Sequence, residues 1–270
     1  MIIRLALFCF LTALLAACSG GTQLTEFPER RTTVNGIERG YRVYVPAQRD
    51  PNVKLPVMLY LHGSGSRGSE NREQAWAFAA ATDPVRDKIN FIVVLPQCQE
   101  NTFWASKDMM EYSLAALDAA VAEFNGDPSR LYIAGFSLGG YGTWGIAAAK
   151  PGKFAALMPV AGGIVGERPI EPPDRDAVDP GVLQLLDSAD PYEAVAIALG
   201  STPVWAFHGA KDESVPVDFT RKMVKALEKN GNKNVKYTEY PEEGHMIFAK
   251  PFAEPGFLEW LSQQKLGTAP

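Results

Sequence analysis

The chain has 270 residues, 46% of them hydrophobic and 21% charged, with a formal net charge of −5. That composition suits one well-cored globular domain and excludes a disordered or fibrous chain. The negative balance and the absence of any Lys/Arg run argue against a nucleic-acid surface.

Met1 to Arg4 carry one positive charge, and Leu5 to Ala17 are almost wholly apolar. The stretch is too short and too near the start for a comfortable membrane span and reads as a secretory signal. Leu15-Ala16-Ala17-Cys18 resembles the lipobox of bacterial lipoproteins, which implies removal of residues 1–17 and lipidation of Cys18. An ordinary cleavage site and an uncleaved anchor are the alternatives. Ser19, with no Asp after the Cys, resembles the pattern sorted to the outer membrane in Gram-negative cells. The expectation is an exported protein, lipid-anchored to the cell envelope. Residues 18–30, polar with Gly20-Gly21, read as the lipidated Cys and a tether. Cys9 leaves with the signal and the lipid consumes Cys18, so Cys98 alone remains, and neither an internal disulfide nor a metal-ligand spacing is available.

The domain then runs from 31 to 265. Arg31 to Val45 alternates around Asn35-Gly36, a strong hairpin signal. Leu55–Leu61 is a buried strand and Arg72–Ala81 an Ala-rich helix. Phe91–Leu95 is a continuous apolar strand, which predicts burial on both faces. Lys107–Phe124 repeats Met110, Leu114, Leu117 and Val121 at helical steps, and Asn125-Gly126-Asp127-Pro128 stops it. Strands follow at Leu131–Ala134, Phe154–Val160, Pro203–Phe207 and Val235–Tyr240. Helices are expected at Tyr141–Ala149, Val217–Lys229 and Phe257–Gln264. This alternation predicts an α/β fold: a mostly parallel twisted sheet, opened by an antiparallel hairpin, with helices on both faces. Residues 163–201 are Pro-rich and acidic apart from an apolar run at Val182–Leu186, and read as a lid-like insertion.

Gly135-Phe136-Ser137-Leu138-Gly139 is a Gly-x-Ser-x-Gly pentapeptide between an apolar strand and an Ala-rich helix. In that context it reads as a nucleophile elbow, with Gly135, Gly139 and Gly140 giving room for a strained turn. A serine hydroxyl needs a base, and the base an orienting acid. The chain has three histidines. His245 stands just past the last strand, where this architecture places reacting groups. His208 reads as packing under a turn, and His62 as shaping the Gly-rich loop after its strand. For the acid, Asp212 follows the penultimate strand, with Glu213 and Asp218 as alternatives. The oxyanion requires two amide donors: the N–H of Leu138, and that of Ser64 or, failing it, Gly63. Gly63-Ser64-Gly65-Ser66-Arg67-Gly68 also fits a dinucleotide fingerprint. Its strand is not the first of the sheet, however, and Pro96-Gln97 occupies the place of the ribose-binding acid. Trp104 and Met246 are candidates for the substrate pocket.

These motifs, with Leu61-His62-Gly63-Ser64-Gly65, Pro96-Gln97-Cys98, Phe207-His208-Gly209-Ala210-Lys211-Asp212 and Glu243-Gly244-His245, resemble the α/β-hydrolase superfamily. Within it the chain is most similar to the carboxylesterase/"predicted peptidase" branch, near the dienelactone-hydrolase and prolyl-oligopeptidase-like groups. The resemblance spans about residues 31–262 and implies that Ser137, Asp212 and His245 form a triad. Dienelactone hydrolases proper carry a Cys nucleophile, and the Ser here argues against that reaction. A serine esterase is expected, acting on small, aryl- or carbohydrate-linked esters, with no metal or organic cofactor. A peptidase or thioesterase on the same scaffold and a non-catalytic surface binding lipoprotein are the rival readings.

Overall fold

The structure is a computed structural model describing residues 24–164 and 175–267. The signal, Cys18 and the first part of the tether lie outside the described residues, as do residues 165–174 of the 163–201 segment. Eight strands form one sheet in the order β1-β2-β4-β3-β5-β6-β7-β8. They are β1 (Glu29–Val34), β2 (Ile37–Tyr44), β3 (Leu55–Leu61), β4 (Ile92–Pro96), β5 (Gly126–Phe136), β6 (Ala156–Val160), β7 (Val204–Gly209) and β8 (Val235–Tyr240). β1 and β2 are antiparallel, as are β2 and β4, and every later pairing is parallel. The β1–β2 hairpin turns on Asn35 and Gly36, both at positive φ, the backbone that a two-residue hairpin loop needs.

Successive side chains on a strand point to opposite faces, and both faces of this sheet are covered. Val57, Leu59 and Leu61 of β3 join a core with α2 (Lys107–Glu123), α3 (Leu138–Ala149) and α6 (Asp218–Lys229). Met58 and Tyr60 join the opposite core, with α1 (Glu73–Thr82), α7 (Lys250–Ala253) and α8 (Phe257–Ser262). β4 and β5 split the same way, Ile92/Val94 and Leu131/Ile133 against Val93/Leu95 and Tyr132/Ala134. The hairpin, the parallel sheet and the two helical layers define the α/β-hydrolase fold.

Two differences from the sequence expectation have physical causes. β5 starts at Gly126 rather than Leu131. Asp127 accepts hydrogen bonds from the Ser129 backbone and the Arg130 side chain, so a Gly-Asp-Pro segment of poor strand propensity is still held in place. The second difference lies in 163–201, whose described part forms α4 (Pro180–Leu186) and α5 (Pro191–Leu199). Val182, Val195 and Leu199 are buried in the same core as Trp144 and Met223. These two helices pack into a structural layer, which composition alone did not reveal.

Candidate active site

β5 delivers the chain into a tight turn, and α3 begins one residue after Ser137. Ser137 itself sits at φ 54°, ψ −114°, a backbone that a non-glycine residue adopts only at a cost of roughly 1–3 kcal/mol. The surroundings hold it there. Its N–H donates to the Val160 carbonyl at 2.9 Å, and the Tyr141 N–H donates to its own carbonyl at 3.1 Å. Gly139 lets the helix start lie against β3, since a Cβ at that position would come within 1.8 Å of the Leu61 carbonyl oxygen.

Three side chains from distant parts of the sequence converge at the carboxyl ends of the strands. His245, in the loop after β8, places Nε2 2.9 Å from Ser137 Oγ and Nδ1 2.7 Å from Asp212 Oδ2. A carboxylate oxygen only accepts, so Nδ1 carries the proton and Nε2 is left as an acceptor for the serine hydroxyl. Asp212, in the loop after β7, is fixed at its other oxygen, where Oδ1 accepts the N–H groups of Ser214 and Val215, each at 2.8 Å. Burial by itself would raise this carboxyl. Hydrogen bonds from His208, His245 and Val215 outweigh it and hold Asp212 well below the usual carboxylate range. Of the other two acids weighed from sequence, Glu213 is exposed and Asp218 pairs with Arg221 at 2.8 Å.

His62 is nearly fully buried after β3, and burial pushes its pKa down to about 4. Its Nε2 accepts the Cys98 N–H at 3.0 Å, so Nδ1 is the protonated nitrogen and donates to the Gly63 carbonyl at 2.6 Å. His62 therefore braces the loop beside Ser137. Ser64 and Gly63 of that loop line the same cavity as Ser137 and His245. Leu138 opens α3, where the first amides have no intrahelical acceptor and the helix end carries partial positive charge.

That cavity encloses about 310 Å³. Met246 lines it and is largely exposed. Trp104 does not. It is fully buried, its ring packs edge-on to His62 at 4.9 Å, and its Nε1 donates to the His62 carbonyl at 3.0 Å. The pocket role expected for Trp104 is corrected to support from below. Sequence reading missed the apolar walls that Phe136, Phe248 and Ala77 supply. Phe136 was legible as the residue just before the serine; Ala77, one turn into α1, had no signal of its own. Phe136 also packs on the His245 ring, 5.0 Å between centroids.

Cys98 is free and buried, and burial pushes its thiol up to about 12, so it is no competing nucleophile. Among the described residues no group of three or more His, Cys, Asp and Glu side chains is arranged to hold a metal ion, and no helix is long and apolar enough to cross a membrane.

Fold and site together define a hydrolase of the α/β-hydrolase fold, related to esterases and peptidases. The chain belongs to the prolyl oligopeptidase family, whose model matches residues 99–258. It is 28% identical over 215 residues to an uncharacterized secreted protein of Arthroderma benhamiae, covering 73% of this chain and 22% of the relative. It is also 28% identical over 139 residues to the bifunctional acetylxylan esterase/xylanase XynS20E of Neocallimastix patriciarum, covering 47% of this chain and 18% of the relative. A thermostable esterase of known structure superposes with a TM-score of 0.71 at 27% identity, covering 90% of this chain and 64% of the esterase. The chain thus spans about a fifth of each of these two curated relatives.

Proposed function

We propose that the protein is a serine carboxylic-ester hydrolase working through an acyl-enzyme, with Ser137 as nucleophile, His245 as base and Asp212 as its orienting acid. The observation that carries this reading is the continuous contact from Asp212 Oδ2 through His245 to Ser137 Oγ. His245 Nε2 takes the hydroxyl proton as Ser137 Oγ attacks the ester carbonyl, and Asp212 stabilises the imidazolium that forms. The Leu138 amide and that of Ser64, or of Gly63, receive the developing oxyanion; each such donor is worth about 10²–10³ in kcat. The imidazolium protonates the departing alcohol. Water, activated by the same nitrogen, then releases the acid and restores the serine.

An apolar cavity beside the nucleophile supports a small acyl or aryl group there, and the acetylxylan esterase relative supports carbohydrate-linked esters as the substrate class. The sequence pattern at Cys18 supports a lipid anchor on the cell envelope, tested by whether Cys18→Ser releases the protein from membranes. Purified residues 19–270 should hydrolyse short-chain p-nitrophenyl esters, and Ser137→Ala should lose about 10³-fold or more of kcat. Undiminished turnover by that variant would discard the assignment. Membership of the prolyl oligopeptidase family favours peptide hydrolysis as the second reading. An aminoacyl p-nitroanilide turned over faster than the matching ester would establish it.

A further inference from the structure

The second buried histidine of this region, His208 at the end of β7, has no part in the mechanism above. It is fully buried. Its Nε2 lies 3.0 Å from the Val215 carbonyl and 3.1 Å from Asp212 Oδ2. Both partners are acceptors only, so Nε2 carries a proton; it donates to the Val215 carbonyl and faces Asp212 Oδ2 in a close polar contact that helps hold the carboxyl low. Asp212 Oδ2, the oxygen that faces His245, therefore meets two imidazole N–H groups, and Oδ1 receives two backbone N–H groups.

On its far side His208 is also fixed. Nδ1 is 2.8 Å from Thr220 Oγ1, and that hydroxyl lies 3.1 Å from the Gly162 carbonyl oxygen. Thr220 occupies the buried stripe of α6, ahead of Met223, Val224 and Leu227, where a polar side chain needs a partner. Gly162 packs in turn on Gly140 in the first turn of α3. One line of contacts thus runs from the helix start behind the nucleophile, through Gly162, Thr220, His208 and Asp212, back to His245.

We propose that His208 is a positioning residue for the Ser137–His245 pair, fixing the direction of Asp212 Oδ2 and moderating its strength as the acceptor for His245. This rests on the triad reading given above. Two donors on one oxygen share its charge, so His245 meets a weaker acceptor than a singly bonded carboxylate would present. Loss of the His208 donor frees Oδ2 to turn and strengthens its hold on a protonated His245.

Other charges around this cluster are matched. From β8, Glu239 stands opposite His208 in register and is gripped by Arg221 of α6 and by Tyr237. Arg221 also pairs with Asp218. In the flanking loops Lys211 pairs with Glu242, and Glu243 with Lys250, while Glu213 is exposed. From the core side of the elbow, Phe136 and Ser137 face His245.

The test compares His208→Gln, which keeps a donor near the position of Nε2, with His208→Leu, which removes it. The Gln variant should stay within about threefold of wild-type kcat/KM. The Leu variant should lose about tenfold in kcat, roughly 1.4 kcal/mol, at unchanged KM. Its kcat/KM should rise with pH along a limb displaced upward by about half a unit. A folded Leu variant with wild-type kcat and an undisplaced limb overturns the proposal. A measurement on the wild-type protein covers the case in which that variant does not fold. With ¹⁵N-labelled histidines, the His208 Nε2–H resonance should be present throughout and shift with the midpoint at which His245 titrates. An unprotonated Nε2, or a resonance indifferent to that titration, also overturns it. This spectroscopic result is independent of turnover, so a failure of the esterase reading, seen as undiminished Ser137→Ala activity, is separable from a failure here.

Discussion

On one side of Ser137 the loop after β3 buries His62 with both ring nitrogens bonded to backbone groups, Cys98 N–H at one and the Gly63 carbonyl at the other. On the other side the loops after β7 and β8 bring His208 and His245 onto one oxygen of a carboxylate. Burial is common to both regions, but its consequence differs. Without a counter-charge, burial drives His62 neutral, pushing it down to about 4, and the neutral ring braces the loop that lines the cavity beside Ser137. Where Asp212 is present, hydrogen bonds overcome burial and keep a charge in the protein, ready for a proton to arrive beside it. The same residue type thus builds a scaffold on one side and the proposed proton path on the other, and the neighbours decide which.

The sharpest way to break this contrast is Asp212→Asn. Oδ1 would still meet the two backbone amides, so the amide nitrogen would fall where two imidazole N–H groups now converge. His245 would then favour the tautomer with its proton on Nε2, which cannot accept from Ser137. A loss of about 10⁴-fold in kcat is expected, with KM little changed, measured on a p-nitrophenyl ester. A loss below about tenfold would mean that the carboxylate does not set the tautomer.

The scaffold side should fail more gently. His62→Leu removes the partners of Gly63 O and Cys98 N and loosens the loop proposed to carry the second oxyanion donor, so kcat should fall by about 10²-fold. The same histidine predicts a pH dependence of stability in the wild-type protein. Its folded pKa of about 4 lies below the unfolded value of about 6.5, so the unfolded state binds more protons between the two. The stabilisation is therefore complete above pH 6.5 and drains away as pH falls toward 4, by up to about 3 kcal/mol. Asp212, also depressed, acts in the same direction but in a lower window: its contribution is present above the unfolded value of about 3.9 and is lost only below that. Urea midpoints for wild type at pH 7 and pH 5 should differ, and His62→Leu should flatten the difference; equal slopes in the two proteins would show that His62 is not held neutral.

How far this contrast was legible beforehand depended on the kind of signal. Ser137, Asp212 and His245 each sit just past a strand in a local pattern, and chemistry restricts which residue types can serve there. Apolar runs such as Leu55–Leu61 spoke for themselves because burial on both faces leaves no polar interruption. The two helices after Gly162 were harder to see, because prolines and acids also suit a connecting segment. Asp179-Pro180 and Asp190-Pro191 are in fact helix starts: Asp179 accepts the Gly181 N–H and Asp190 the Glu193 N–H, with proline in the first turn. Trp104 misled for a different reason. A tryptophan after a strand end can face the cavity or the core, and only packing against His62 and Gly142 sends it inward. His208 was correctly read as packed and satisfied, but its reach to Asp212 depends on a loop geometry that no spacing announces.

The smallest effect separates both sides from the space between them. Ala77 stands on the wall of the cavity that also holds Phe136, Phe248 and Met246. Ala77→Leu extends a side chain into that space from a helix that tolerates leucine well, so folding should be little affected. If the acyl group of the ester occupies the cavity, the longer side chain competes with long chains and leaves acetate untouched. The ratio of kcat/KM for p-nitrophenyl octanoate to that for the acetate should then fall by about tenfold, the worth of one or two misplaced methylenes. An unchanged ratio, with both substrates still turned over, would assign the cavity to the alcohol portion. The contrast between the two histidine loops would survive that outcome, because it depends on the charge each loop carries and not on which half of the ester lies between them.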